Sequence, residues 1–146
     1  MDVVKWVLEK SPRPDVLELT RRAFASANSG DYDAMMTFYG ADSVWDNSPS
    51  GLGTYAGPAA IRTFFEDWIG ALDGWKLEIR ELRDLGSGIA WVISVQSGRS
   101  AGGGPQIQLR HASLFIWSGE IIVRATHYRD IHEARAAARA LIEERA

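Results

Sequence analysis

Hydrophobic residues recur at helical spacing in the first half of this chain and at every second position in much of the rest. Val16, Leu19, Thr20, Ala23, Phe24 and Ala27 predict a helix within PDVLELTRRAFASANSGD, begun by Asp15 as N-cap and stopped by Gly30. A shorter helix in DYDAMMTFYG turns Met35, Phe38 and Tyr39 inward. DSVWD follows as a brief strand. Gly57-Pro58 then opens a third helix, with Pro at its favoured first position and Ile61, Phe64, Phe65, Trp68, Ile69 and Leu72 as one apolar stripe. Such a stripe needs a sheet to lie on.

From Trp75 the period becomes two. WKLEIRELRDLG places Trp75, Leu77 and Ile79 on one face and then changes parity to Leu82, which predicts a bulge or bend near Arg80 and Glu81. IAWVISVQ and QIQLRHASLFIW read as a long hairpin joined by the polar, glycine-rich loop SGRSAGGGP. SGE gives a tight turn, IIVRATHY the last strand, and DIHEARAAARALIEER an Ala-rich closing helix capped by Asp130. Helices followed by long antiparallel strands imply one α+β domain spanning 1–146, with helices covering one face of a bent, partly closed sheet. A pocket of ligand size belongs between the concave face and the covering helices.

Composition narrows the chemistry. A chain of 146 residues with 46% hydrophobic residues and a formal net charge of -3 reads as an ordinary globular protein, with no polyanion-seeking surface and so no nucleic-acid partner. The absence of cysteine removes disulfides and thiol catalysis. The N-terminal MDVVKWVLEKSPRP lacks the apolar core of a signal peptide, and no segment reaches the roughly 18 apolar residues of a membrane helix, so the expected location is cytoplasmic, without a membrane partner. His111, His127 and His132 show no metal-ligand spacing, and AGGGP precedes a strand and not a helix, so neither a metal nor a phosphate loop is expected.

TRRAFASANSGDYDAMMTFYGADSVWDNSPSGLGTYAGPAAIRTFFEDW resembles the opening of the nuclear-transport-factor-2-like superfamily, in particular its SnoaL-like members related to polyketide cyclases and ketosteroid isomerases. The order of elements continues that resemblance over roughly residues 15 to 140. It implies a cone-shaped, mostly antiparallel sheet covered by helices, and a cofactor-independent site. It also implies that Asp46, at the end of SVWD, is the general base that moves a proton next to a carbonyl. On the residues alone Asp46 has two readings, an acid at the mouth of an apolar pocket or the opening residue of the turn DNSPSG. Two departures weigh against steroid isomerisation. RRAFAS offers Ala23 and Phe24 where the family places a tyrosine, and Ser113 is the nearest match to its second, protonated aspartate.

Other groups stand out by position. His111 and Ser113 interrupt an apolar row formed by Ile107, Leu109, Phe115 and Trp117, where His111 reads as a proton shuttle or as a histidine satisfied by a neighbour. On the last strand Ile121, Val123, Ala125 and His127 make the more apolar face. The family register instead turns Ile122, Arg124, Thr126 and Tyr128 inward, and that register is adopted. Arg124 would then fix an enolate or pair with Asp46, and Tyr128 would donate a hydroxyl.

The resulting expectation is a small, hydrophobic, carbonyl-containing ligand, polycyclic or aromatic, held by Phe24, Phe65, Trp68 and Ser113. Asp46, His111, Arg124 and Tyr128 would carry out cyclisation, isomerisation or elimination. The alternative is a non-catalytic ligand-binding or dimerisation module. An epoxide hydrolase would need two acids on the central strands facing the pocket, whereas Glu78, Glu81, Asp84 and Glu120 fall near strand ends or on polar faces. Apolar residues on both sheet faces, with Ala90, Val92, Leu114 and Ile116 set opposite the row of Trp91 and Phe115, predict a homodimer through the outer face.

Overall fold

The computed structural model describes residues 15–145, so the N-terminal segment searched above for a targeting signal lies outside the described residues. Helix α1 (Val16–Ser29) begins where the Leu17 N–H donates to Asp15 Oδ1 at 2.9 Å, and ends at Gly30, whose φ of 72° only glycine adopts freely. Its buried residues Val16, Leu19, Thr20, Phe24 and Ala27 follow the expected stripe. Asp15→Ala removes the cap acceptor and is expected to cost about 1 kcal/mol, seen as a small fall in the denaturant midpoint with an unchanged slope.

Helix α2 (Tyr32–Met36) is shorter than its sequence pattern, because Tyr39 already begins strand β1 (Tyr39–Asp46). A turn of 3₁₀ helix (Ser48–Ser50) and strand β2 (Thr54–Ala56), absent from the sequence reading, lead to α3 (Pro58–Gly70). Ile61 and Phe65 are its buried anchors, and Leu72 belongs to the next strand. Strand β3 (Leu72–Gly86) carries the expected bulge, since its pairing shifts between Ile79 and Glu81. Strand β4 (Ile89–Ser100) runs farther than expected. Pairing with β5 (Gln106–Ser118) continues through Gly98 and Arg99, leaving only 101–105 as loop. Gly98 is tolerated there because the start of β3 crosses it, and a Cβ added at this position would lie 3.1 Å from Leu72 Cβ. Strand β6 (Ile121–Tyr128) and helix α4 (Ile131–Arg145), capped by Asp130 through the His132 N–H at 2.8 Å, complete the chain.

The six strands form one open sheet in the order β2-β1-β6-β5-β4-β3, in which β1 and β6 are parallel and all other neighbours antiparallel. Register separates the faces differently from the sequence reading. Ala90 lies opposite Phe115 and Val92 opposite Ser113, so these four share the inner face, while Trp91 with Leu114 and Ile89 with Ile116 share the outer one. Val16, Leu19 and Phe24 of α1 pack on the inner face. Ala134 and Ala138 of α4 pack on the outer face against Ile89, Trp91, Ile93 and Leu114.

Helices therefore cover both faces, not one. Of the row through which a homodimer was expected, Ala90 and Val92 face inward and Leu114 packs against α4. A stripe of alanines lets α4 approach the sheet closely, which is why this helix looks more polar in sequence than its position requires. Among the described residues no helix is long and apolar enough to cross a membrane.

Candidate functional site

Between the inner face and α1, α2 and α3 lies a cavity of about 100 Å³. Phe24, Phe64, Phe65, Trp68, Trp75 and Phe115 are among the aromatic residues of its wall. These rings hold one another: Phe24 meets Phe115 edge-on at 5.7 Å between centroids, and Trp45 meets Phe65 at 4.6 Å and 81°. Phe24, Phe65 and Trp68 thus border the space and do not fill it. Gln96 Oε1 accepts from Trp68 Nε1 at 2.7 Å and Trp75 Nε1 at 3.0 Å, fixing both indoles. None of the described lining residues is Asp, Glu, Lys or Arg.

The polar part of the lining comes from the sheet. His111 and Ser113 face inward on β5, beside Ser94 of β4, as their alternation with Phe115 predicts. Ser113 Oγ lies 2.7 Å from His127 Nδ1. Burial pushes the His127 pKa down to about 3, the nearby His111 adding to this and Asp46 opposing it, so the ring is neutral at physiological pH. His111 is lowered in the same direction, first by burial and then by the Arg129 charge.

The expected register of β6 is corrected here. Trp117 pairs with Ile122 but Ile116 pairs with Arg124, so one extra residue, Val123, reverses the parity of the strand. Ile122 points inward before the bulge, and Ala125 and His127 point inward after it, opposite Phe115 and Ser113. Arg124, Thr126 and Tyr128 fall on the other side. Arg124 is half exposed, and Tyr128 packs against the outer cluster under α4.

Asp46 goes with them. Trp45 pairs with Ala125 and lines the cavity, so the next residue along β1 must face away. The Asp46 carboxylate is nevertheless well held: Oδ2 accepts from Arg124 Nη2 at 2.7 Å, and Oδ1 accepts from the Ser48 N–H at 2.9 Å and Thr54 Oγ1 at 3.1 Å. Burial pushes this carboxyl upward, but the bonds from Ser48, Arg124 and Thr54 together outweigh it and hold the pKa at about 2. Of the two readings of Asp46, the turn describes its position and the acid at the cavity mouth does not. Asp46 does begin the turn, and it does pair with Arg124. Asn47, one residue on, is the polar side chain that this strand end presents to the cavity.

The structure brings together Phe24, Phe65, Trp68, His111 and Ser113, and separates them from Asp46, Arg124 and Tyr128. The sequence reading overlooked Trp45, Asn47 and Gln96 as lining residues. The alternation around Asp46 was the available signal for the first two.

An α+β fold of six strands in one open sheet, with helices packed over its inner face, is the fold this chain shares with ketosteroid isomerase-like and SnoaL-like polyketide cyclase-like structures. The family model of the SnoaL-like domain matches residues 20–125, and the chain belongs to that family. Solved structures agree on the fold. A protein of Shewanella denitrificans OS-217, proposed as a SnoaL-like polyketide cyclase, aligns with a TM-score of 0.69 at 15% identity, covering 88% of this chain and 99% of that one. TerC, co-crystallised with polyporic acid, gives 0.68 at 19% identity over 85% and 98%. A protein of Catenulispora acidiphila DSM 44928 with a ketosteroid isomerase-like fold, in complex with trimethylamine, gives 0.68 at 19% identity over 80% and 86%. A comparison with curated proteins returns no match.

Proposed function

We propose that the cavity binds a small, neutral, flat and largely apolar molecule carrying a carbonyl, and that His111 moves a proton next to that carbonyl without a cofactor. The observation that carries this reading is an aromatic enclosure with no Asp, Glu, Lys or Arg among its described lining residues and one imidazole-bearing wall, formed by His111, Ser113 and His127. An uncharged, poorly hydrated wall favours neutral ligands, because an ionised one would leave water without a counter-charge. TerC, a relative in fold, has been co-crystallised with the small molecule polyporic acid.

In the proposed step the neutral His111 imidazole takes a proton from the carbon beside the carbonyl, leaving an enolate and an imidazolium. Return of the proton to another carbon is isomerisation; attack of the enolate on a second carbonyl of the same molecule, whose oxygen then takes the proton back from the His111 imidazolium, is aldol cyclisation. Phe24, Phe65 and Trp68 place the ring system, and Ser113 orients His127. Asp46 and Arg124 are assigned to joining β1, β6 and the 48–50 turn, and Tyr128 to packing under α4.

A second reading, non-catalytic ligand binding, is favoured by one observation: among the described residues no carboxylate lines the cavity to act as a base beside His111. β-Tetralone, an aromatic ketone with acidic protons between ring and carbonyl, separates the two when its exchange in heavy water is followed by proton NMR. Saturable acceleration over buffer is the expected result. Binding without acceleration would favour the second reading, and no binding would contradict both.

A further inference from the structure

A second hollow, of about 200 Å³, lies where β6 stops. β5 pairs with β4 from Gln106 to Ile116 but with β6 only from Ala112 onward, so the stretch before Ala112 has a strand on one side alone among the described residues. The hollow is at that step. Three of its lining residues are apolar, Ile93, Ala112 and Ile131, and three carry nitrogen, Arg110, His111 and Arg129. His111 lines the aromatic cavity as well, so one imidazole belongs to both walls.

The charge in this hollow is not balanced. Arg62, Arg83 and Arg124 each meet a carboxylate at 2.6–2.7 Å, whereas among the described residues neither Arg110 nor Arg129 forms an ion pair, and no acid lines the space between them. The next acid in the chain, Asp130, is committed to α4: its Oδ1 accepts from the His132 N–H at 2.8 Å and the Glu133 N–H at 3.4 Å. The pair is not part of a generally basic surface either, since the whole chain carries a formal net charge of -3. Two guanidinium groups against an apolar wall repel each other, and an anion between them removes that repulsion.

We infer that this hollow is a binding site for a dianionic oxyanion of sulfate or phosphate size, held between Arg110 and Arg129, and that its occupant is linked to the charge on His111. Two single positive charges are matched by a dianion, while a monoanion leaves one uncompensated, and the planar fork of each guanidinium fits two oxygens of a tetrahedral oxyanion. The link follows from what surrounds the imidazole. The titratable side chains sharing its two walls are Tyr39 and His127 in the aromatic cavity and Arg110 and Arg129 in the hollow. After burial, the Arg129 charge is what disfavours the imidazolium. A dianion beside Arg129 offsets that charge, so occupation of the hollow and protonation of His111 favour each other, each by the same factor. On the reading of His111 as the base, a bound dianion would keep more of it protonated and move the rise in rate to higher pH; binding itself does not depend on that reading.

Sulfate is the probe, because it stays a dianion throughout a histidine titration. Isotope-labelled full-length protein is titrated with sulfate against chloride at constant ionic strength and followed by NMR. The Arg110 and Arg129 Nε–H signals and the His111 ring signals should shift saturably at millimolar sulfate, with acetate weaker by about fivefold. The midpoint of the His111 titration should be higher in saturating sulfate than in chloride. Arg110→Gln and Arg129→Gln should each weaken sulfate by about fivefold, and Arg129→Gln should also raise the His111 midpoint in chloride. Both side chains are exposed, so the variants are expected to fold; if either does not, the signals of the parent protein decide. Shifts that grow linearly with sulfate, or that persist unchanged in both variants, would overturn the site. Acetate binding as tightly as sulfate would overturn the dianion, and saturable binding with an unmoved His111 midpoint would overturn the link. None of these readouts uses turnover, so a failure of ketone exchange would contradict the catalytic reading and leave this site standing.

Discussion

Asp46→Asn is expected to melt several degrees below the parent protein while keeping its activity. The carboxylate accepts from Arg124, Ser48 and Thr54, and these bonds outweigh burial to hold its pKa at about 2 against an ordinary 3.8. A carboxyl with a depressed folded pKa contributes stability that is present above its unfolded pKa and lost as pH falls through the folded value. The contribution is therefore in place at neutral pH and disappears between about 4 and 2.

Asparagine keeps the shape and can still accept from the Ser48 N–H, but it loses the charge. Arg124, whose side chain is 45% exposed, recovers part of that loss from water. The expected difference is about 1–2 kcal/mol at pH 7, or roughly 3–8 °C in Tm. Denaturant melts of both proteins across pH check this, with the gap closing below pH 4. His127 destabilises both alike in acid, because its buried ring must stay neutral while the unfolded chain takes up a proton below 6.5. That effect cancels in the comparison. A gap that does not change with pH would mean that the ion pair contributes nothing.

His111→Gln carries the larger effect. Glutamine keeps a polar side chain of similar reach on β5 but accepts no proton from carbon, and the loss of a general base typically slows a reaction by about 10² to 10⁴-fold. Exchange of β-tetralone should fall by at least about a hundredfold, with binding of the ketone nearly unchanged. The pH profile of the parent protein gives an independent check. Because burial and Arg129 lower the His111 pKa below 6.5, the rate should rise with pH and reach its plateau on the acid side of that value. His127, held near 3, should add no inflection between pH 4 and 8. A plateau reached only above 6.5 would point to a different base.

Much of the fold was legible because its signals are local. Asp15 and Gly30 bound α1 in both sequence and structure, Pro58 opens α3, and the parity change after Ile79 announced the β3 bulge. What was lost depended on single-residue parity or on distant partners. Asp46 and Trp45 are adjacent, so one residue of register decides which of them enters the cavity, and sequence chemistry draws attention to the acid. The bulge at Val123 is invisible in IIVRATHY, because Ile122 before it and His127 after it use opposite parities of one short strand. Two apolar faces on β4 and β5 are compatible with a second chain or with the protein's own helix, and only tertiary structure shows that Ala134 and Ala138 of α4 meet Ile89 and Leu114. The aromatic wall was legible in Phe24, Phe65 and Trp68, since helical spacing fixes their face.

The most direct test of the account is exchange of β-tetralone in heavy water by Asp46→Asn and His111→Gln side by side, at a temperature where both are folded. The cavity places His111 on its wall and Asp46 behind it, so the Asp46 variant should exchange the ketone at a rate within about twofold of the parent while the His111 variant falls toward the buffer rate. The reverse pattern, with activity lost on removing the Asp46 charge and kept without His111, would contradict the account.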